Sequence, residues 1–228
     1  GSEARRLPVE GGDLPGIHTL RAPEDAQALS AAVGEDGSKD VVIVGSSFIG
    51  VEYAASLAAS GAAKSITVLG MEAVPFERVL GAEVGAFVQS KLEAQGVKFV
   101  MESALAKFEG QDTVAGGRLK DGTLLSSDVV VLGVGAKPVA PVLGGPASAS
   151  FNKDGSVFTD GSFKVLASQD GAAVDGLWAA GDIARFPHPA VDGKPVRVEH
   201  WAVAQQQGRT AARDIVHSFG SGSGAAAA

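Results

Sequence analysis

The residues whose types and spacing best suit chemistry are Gly45, Ser46, Ser47, Phe48, Ile49 and Gly50. They follow the β-branched run Val41-Val42-Ile43-Val44 and lead into Glu52. A glycine at a strand end, a second just inside the next helix and free amides between them form a seat for a dinucleotide's pyrophosphate, with the helix dipole behind it. Gly45 suits the tight turn off the strand, and Gly50 lets helix and strand pack closely. The middle glycine of the usual fingerprint is Ser47 here, which takes room but offers a hydroxyl. Phe48, Ile49 and Gly50 would supply the amides. The competing reading is a strand–helix turn whose glycines serve packing alone. A strand before, a helix after and a further strand at the right distance favour the nucleotide.

The second strand of such a unit normally ends in a carboxylate that holds the ribose 2′-hydroxyl. That spot is Gly70, and Glu72 follows two residues later. Glu72 is therefore the candidate for the ribose of NADH, against the alternative of a solvated loop glutamate. Nearby Arg78 could instead meet the 2′-phosphate of NADPH, so both cofactors stay open.

Composition removes other chemistries. The chain has no cysteine, which excludes disulfides, a redox-active thiol pair, iron–sulfur ligands and thiolate zinc, and its four scattered histidines argue against a metal site. A net charge of −7 without a basic run argues against nucleic acid. Apolar runs such as Val129 to Val134 are far too short for a transmembrane segment.

The elements that must position these residues are legible in the pattern. Helices are expected over Pro23–Val33, Ile49–Ser60, Glu83–Gln95 and Trp201–Phe219, the last with Ala204, Gly208, Ala211 and Ala212 along one side. Buried strands are expected at Val41–Val44, Ile66–Leu69, Val97–Met101 and Val129–Gly135, with a short one at Ile17–Leu20. Alternation of strands and helices predicts a parallel sheet. The short segments Leu105–Phe108, Thr113–Leu119 and Thr123–Leu125 read as an antiparallel meander. Further strands are expected at Val157–Thr159, Phe163–Val165 and Leu177–Asp182. The fold class is α/β: a Rossmann-like three-layer parallel sheet with a meander, plus part of a second domain. Residues 220–228 form a low-complexity, linker-like tail.

Gly45 to Glu52, Gly135-Ala136-Lys137-Pro138, Ala179-Ala180-Gly181-Asp182 and Glu199-His200-Trp201 with Gln207-Gly208 occur in this order. Together they resemble the flavin-dependent pyridine-nucleotide oxidoreductases of the disulfide type, in the apoptosis-inducing-factor-like and ferredoxin-reductase-like branch. Ser47 to Gly50, Pro75-Phe76 and Val79-Leu80-Gly81 look most like Rieske-linked members. The resemblance implies FAD and NAD(P)H as cofactors, hydride passing from nicotinamide to flavin, and an acceptor such as an iron–sulfur carrier, a quinone or oxygen. It implies an NAD(P)-binding domain at 20–145 inserted into a split FAD domain formed by 1–19 and 146–219. By the same resemblance Gly181 and Asp182 meet the ribityl chain of FAD, although Asp182 could equally cap a helical turn at Ile183–Arg185. Glu52 lies where nicotinamide meets flavin, or else complements its helix dipole. Glu199, His200 and Trp201 lie beside the flavin ring, or else form a helix-start packing cluster. Gly135 and Pro138 lie near the nicotinamide.

The family's N-terminal FAD fingerprint and its C-terminal domain do not occur in these residues. The chain is expected to be a piece of a longer protein or of a larger complex, weak in FAD retention alone, and cytoplasmic or mitochondrial. The alternative is a reductase-like NAD-binding or structural subunit without flavin or catalysis.

Overall fold

The computed structural model describes residues 1–139 and 151–220. The tail at 221–228 and the segment 140–150 lie outside the described residues. The chain divides into two compact units: Ala4–Ala136, and Gly1–Glu3 with Lys137–Ala228.

The first unit is built on strands that are apolar on both faces. β1 (Ser2–Ala4) precedes it. β2 (Ile17–Thr19), β3 (Asp40–Val44), β4 (Ser65–Leu69), β5 (Val97–Val100) and β9 (Val129–Leu132) form one parallel sheet in the order β2-β9-β3-β4-β5. Val41 and Ile43 point to one face, Val42 and Val44 to the other, as the two-residue period requires. Parallel neighbours need crossovers. α1 (Pro23–Val33), α2 (Phe48–Ser60), the short α3 (Glu77–Leu80) and α4 (Ala82–Glu93) supply them. Leu29, Val33, Val51, Leu57 and Leu92 cover the first face. The crossover from β5 to β9 is instead the antiparallel meander β6 (Leu105–Gly110), β7 (Val114–Leu119) and β8 (Leu124–Ser126), whose Phe108, Val114 and Leu119 cover the second. Each fully buried Val, Leu or Ile contributes about 1.5–3 kcal/mol. The three-layer arrangement is the one expected.

The second unit contains β11 (Val157–Phe158) parallel to β14 (Ala184–Pro187), β15 (Pro195–Val196) antiparallel to β14, and the hairpin of β12 (Lys164–Leu166) with β13 (Ala173–Trp178). α5 (Trp201–Gly220) packs Ala211 against Phe163 and Ala184. β1 pairs with β10 (Ala136–Pro138) where the chain passes between the units.

Several expectations need correction. Residues 4–19 pack with the compact sheet unit, because Ile17–Thr19 hydrogen-bonds to β9. The strand foreseen at Leu177–Asp182 starts at Ala173 and stops at Trp178, the last residue with a partner on β12. Ile183–Arg185 is no helical turn, since Ala184 already begins β14. Asp182 therefore caps no helix. The strand foreseen to Gly135 ends at Leu132, and α3 was not foreseen. On α5 the packed side is Ala204, Gln207 and Ala211, while Gly208 and Ala212 are exposed.

Candidate functional site

The chain leaves β3 through backbone that leaves no room for side chains. A Cβ on Gly45, whose φ is 115°, would lie 2.2 Å from the Gly133 carbonyl oxygen, and one on Gly50 would lie 2.1 Å from that of Gly45. Neither distance is physically possible, so this backbone requires glycine at both positions. The close approach starts α2 at Phe48, directly beyond the turn, one residue earlier than expected. Ser47 occupies the N-cap without a side-chain cap bond. The first amides of the helix thus keep their partial positive charge.

A cleft of about 510 Å³ opens at the C-terminal ends of β3, β4 and β9, within the sheet unit. Open parallel sheets take their ligands at this edge, and the volume lies within the range of small-molecule sites. Gly45, Ser46, Ser47, Glu72 and Gly135 line it together with Val44, Leu69, Met71 and Gly133. Phe48, Ile49, Gly50 and Glu52 are not among the lining residues. Gly50 acts through its close approach, Phe48 rests on Phe76 with ring centroids 5.1 Å apart, and Glu52 is exposed beyond the first turn of α2.

Gly70 has a specific cause. A Cβ there would lie 2.5 Å from Ser46 Oγ and 2.6 Å from Met101 Cε. The space of the usual strand-end carboxylate is taken by the Ser46 side chain. Ser46 Oγ in turn donates to Glu72 Oε2 at 3.2 Å, and Arg78 Nε lies 2.9 Å from Glu72 Oε1. Both oxygens of Glu72 are thereby held at the cleft wall. The loop that carries it folds back on the turn, with Phe76 N donating to Ser46 O at 3.1 Å and Ala73 N to Glu77 Oε2 at 2.9 Å.

The second unit presents a separate cluster at Gly181 and Asp182. Buried Gln207 accepts from Gly181 N at 2.6 Å through Oε1. Arg197 Nη1 donates to Asp182 O at 3.1 Å and pairs with Glu199, and Ser2 Oγ donates to the Asp182 carboxylate. Gln207 Nε2 and Arg197 Nε are buried with no partner among the described residues. Buried donors of this kind call for an acceptor-rich ligand or water. His200 Nδ1 accepts from Ala202 N at 3.2 Å at the start of α5, and Trp201 is 79% exposed.

Sequence reasoning missed Gly133, Lys120, Arg197 and the role of Gln207. Gly133 had a signal, a glycine directly after the buried run of β9. Lys120 reaches the cleft from the β7–β8 turn, which only tertiary packing brings there.

A family model described as pyridine nucleotide-disulphide oxidoreductase matches residues 1–208. The chain belongs to that family. Its members are FAD-dependent oxidoreductases that use NAD(P)H. The chain is 33% identical to apoptosis-inducing factor 3 of Homo sapiens over 95% of its own length and 34% of that protein's. It is 36% identical to the biphenyl dioxygenase system ferredoxin–NAD(+) reductase component of Paraburkholderia xenovorans, over 82% of this chain and 42% of that one. An NAD-dependent persulfide reductase from A. fulgidus superimposes with a TM-score of 0.82 at 26% identity, over 94% of this chain and 38% of that one. The chain spans about a third of the length of apoptosis-inducing factor 3. Among the described residues no helix is long and apolar enough to cross a membrane.

The donor set at Gly181 fits the family's flavin. The Asp182 carboxylate can accept from a ligand hydroxyl, while the buried Gln207 Nε2 and Arg197 Nε, without a partner among the described residues, can donate to ligand oxygens.

Proposed function

We propose that this chain is the nucleotide-binding part of an NAD(P)H-dependent flavoprotein oxidoreductase. The Ala4–Ala136 unit holds the dinucleotide, and the second unit supplies part of the FAD site. The observation that carries this reading is the cleft at the strand ends, where Gly45, Ser46 and Ser47 precede the uncapped start of α2 and Glu72 forms the wall.

In this reading the α2 amides offset the pyrophosphate charge, and Gly45 and Gly50 keep side chains out of its path. Glu72 accepts from an adenosine ribose hydroxyl. Val44, Leu69 and Met71 exclude water from one wall. Gly135 lines the cleft where the resemblance expects the nicotinamide. Gly181 and Asp182 hold the ribityl chain, and exposed Trp201, with Glu199 and His200, covers the ring system. FAD held by Gly181 and Asp182 would supply the chemistry, accepting two electrons from a nicotinamide for delivery to an acceptor. Glu52 is proposed to act near that contact. The names of ferredoxin reductases among the relatives favour an iron–sulfur carrier as acceptor over a quinone or oxygen.

Titration of the chain with NADH, followed by nicotinamide fluorescence, tests the cleft. Saturable binding is expected; its absence would remove the reading. An absorbance spectrum of the complete protein tests the flavin half.

A further inference from the structure

We propose that Lys120, on the turn between β7 and β8, supplies the cleft with a side-chain cation for the ligand's pyrophosphate, so that the meander takes part in binding as well as covering the sheet. The proposal rests on the dinucleotide reading of the cleft and adds a residue to it.

Four charged side chains line the cleft among the described residues: Glu72, Glu77, Arg78 and Lys120. Three of them are committed. Arg78 Nε lies 2.9 Å from Glu72 Oε1, and Glu77 Oε2 accepts from Ala73 N at 2.9 Å. The Lys120 side chain is exposed and has no hydrogen bond or ion pair among the described residues. The anions around it on the meander are occupied. Asp121, next in sequence, accepts from Thr123 N at 2.9 Å. Glu109 takes Arg118 at 2.6 Å and Lys107 at 3.5 Å. Of the meander's cations, Lys120 is the one left for a ligand.

Its place at the cleft is built by the backbone. Glu102, two residues beyond β5, has a φ of 52°, a left-handed conformation that residues other than glycine seldom adopt. That bend lets Glu102 N donate to Glu72 O and Ser103 N to Gly70 O, both at 2.9 Å. Ala104 O then accepts from Lys120 N at 2.9 Å, and Gly122 N closes the turn on Leu119 O at 3.0 Å. The loop that carries Glu72 is thus tied by backbone hydrogen bonds to the turn that carries Lys120. The root of the lysine is fixed while its ammonium, on a flexible stem, can follow a phosphate. The first amides of α2 offer partial charges to the pyrophosphate, and Lys120 offers a whole one.

The test is titration of the intact chain with NADH, read by nicotinamide fluorescence, with ADP and adenosine as competitors. Lys120→Met keeps most of the stem and removes the charge. It should weaken NADH and ADP about three- to fivefold at low salt, the scale of an exposed charge pair, and leave adenosine within about 1.5-fold. The loss should shrink as salt rises from about 0.05 to 0.5 M, because the charge is screened. Lys120→Arg should retain most of the affinity. Lys98→Met removes an exposed lysine of β5 that does not line the cleft and should leave all three ligands unaffected. Circular dichroism of each variant checks that the fold is retained. Unchanged NADH affinity in a folded Lys120→Met, equal weakening of adenosine, or equal weakening by Lys98→Met would overturn this inference and leave the dinucleotide cleft standing. Failure of the unaltered chain to bind NADH would overturn both.

Discussion

The two units hold their candidate ligands by different means. The sheet unit offers backbone: amides at the start of α2, and glycines at 45 and 50 whose missing side chains let helix and strand touch. The second unit offers side chains: Asp182, Gln207 and Arg197 around one turn. Their foundations differ as well. Among the described residues, the sheet unit buries clusters of fourteen and nine side chains, and the second unit two clusters of three. A site made of backbone depends on a rigid core that fixes the chain. A site made of side chains tolerates a smaller core, provided its polar groups hold one another. The comparison can be broken at four places.

The largest effect is expected at Gly50. Gly50→Val would drive carbon into the Gly45 carbonyl, so NADH affinity should fall by at least about a hundredfold, with loss of cooperative unfolding of the sheet unit. Fluorescence titration with NADH and thermal melting measure both, and an unchanged affinity would show that the backbone contact is dispensable. Next come the cores. Ile43→Ala, at a fully buried position, should cost about 3 kcal/mol, and Val165→Ala about 2 kcal/mol. Hydrogen exchange read separately over each unit distinguishes them. A greater loss at Val165 would reverse the ranking of the two foundations.

Gln207→Ala should cost about 1–3 kcal/mol, because the buried Gly181 amide would lose its acceptor. Gln207→Glu, which keeps an acceptor oxygen, should recover part of it, and exchange of the Gly181 amide reports the bond directly. The smallest effect concerns acid. The Ser156 hydroxyl, and after it Arg185, hold the Asp154 carboxyl well below the usual carboxylate range. A carboxyl depressed in the folded state stabilises the protein above its unfolded pKa, near 4, and loses that contribution as pH falls further. Asp154→Asn should therefore lower the melting temperature by about a few degrees at pH 7. The gap should close progressively below about pH 4. A gap that stays constant down to acid pH would mean that the charge contributes nothing.

The same contrast explains what could be read from the sequence. Val41 to Val44, Gly45 and Gly50 announce themselves because burial on both faces and the demand for glycine are local properties of the chain. The meander was legible from its spacing. What it covers was not, so Lys120 escaped notice as part of the cleft. Gly70 read as a missing carboxylate, whereas it makes room for Ser46, and only the return of the loop through Phe76 reveals that. Leu177-Trp178-Ala179-Ala180 looked like one strand, but hydrophobicity alone cannot say where a hairpin partner ends, and β13 stops at Trp178, opposite Lys164 at the start of β12. Arg197 gave no signal, since its value lies in a carbonyl fifteen residues back.

Arg5 N donates to Gly135 O at 3.0 Å, so the chain's entry into the sheet unit and its exit meet one residue inside the ends. Its entry and exit sit side by side, like the two legs of a plug. Such a module can be cut out, spliced into a surface loop of another protein or rejoined tip to tip without stretching the chain.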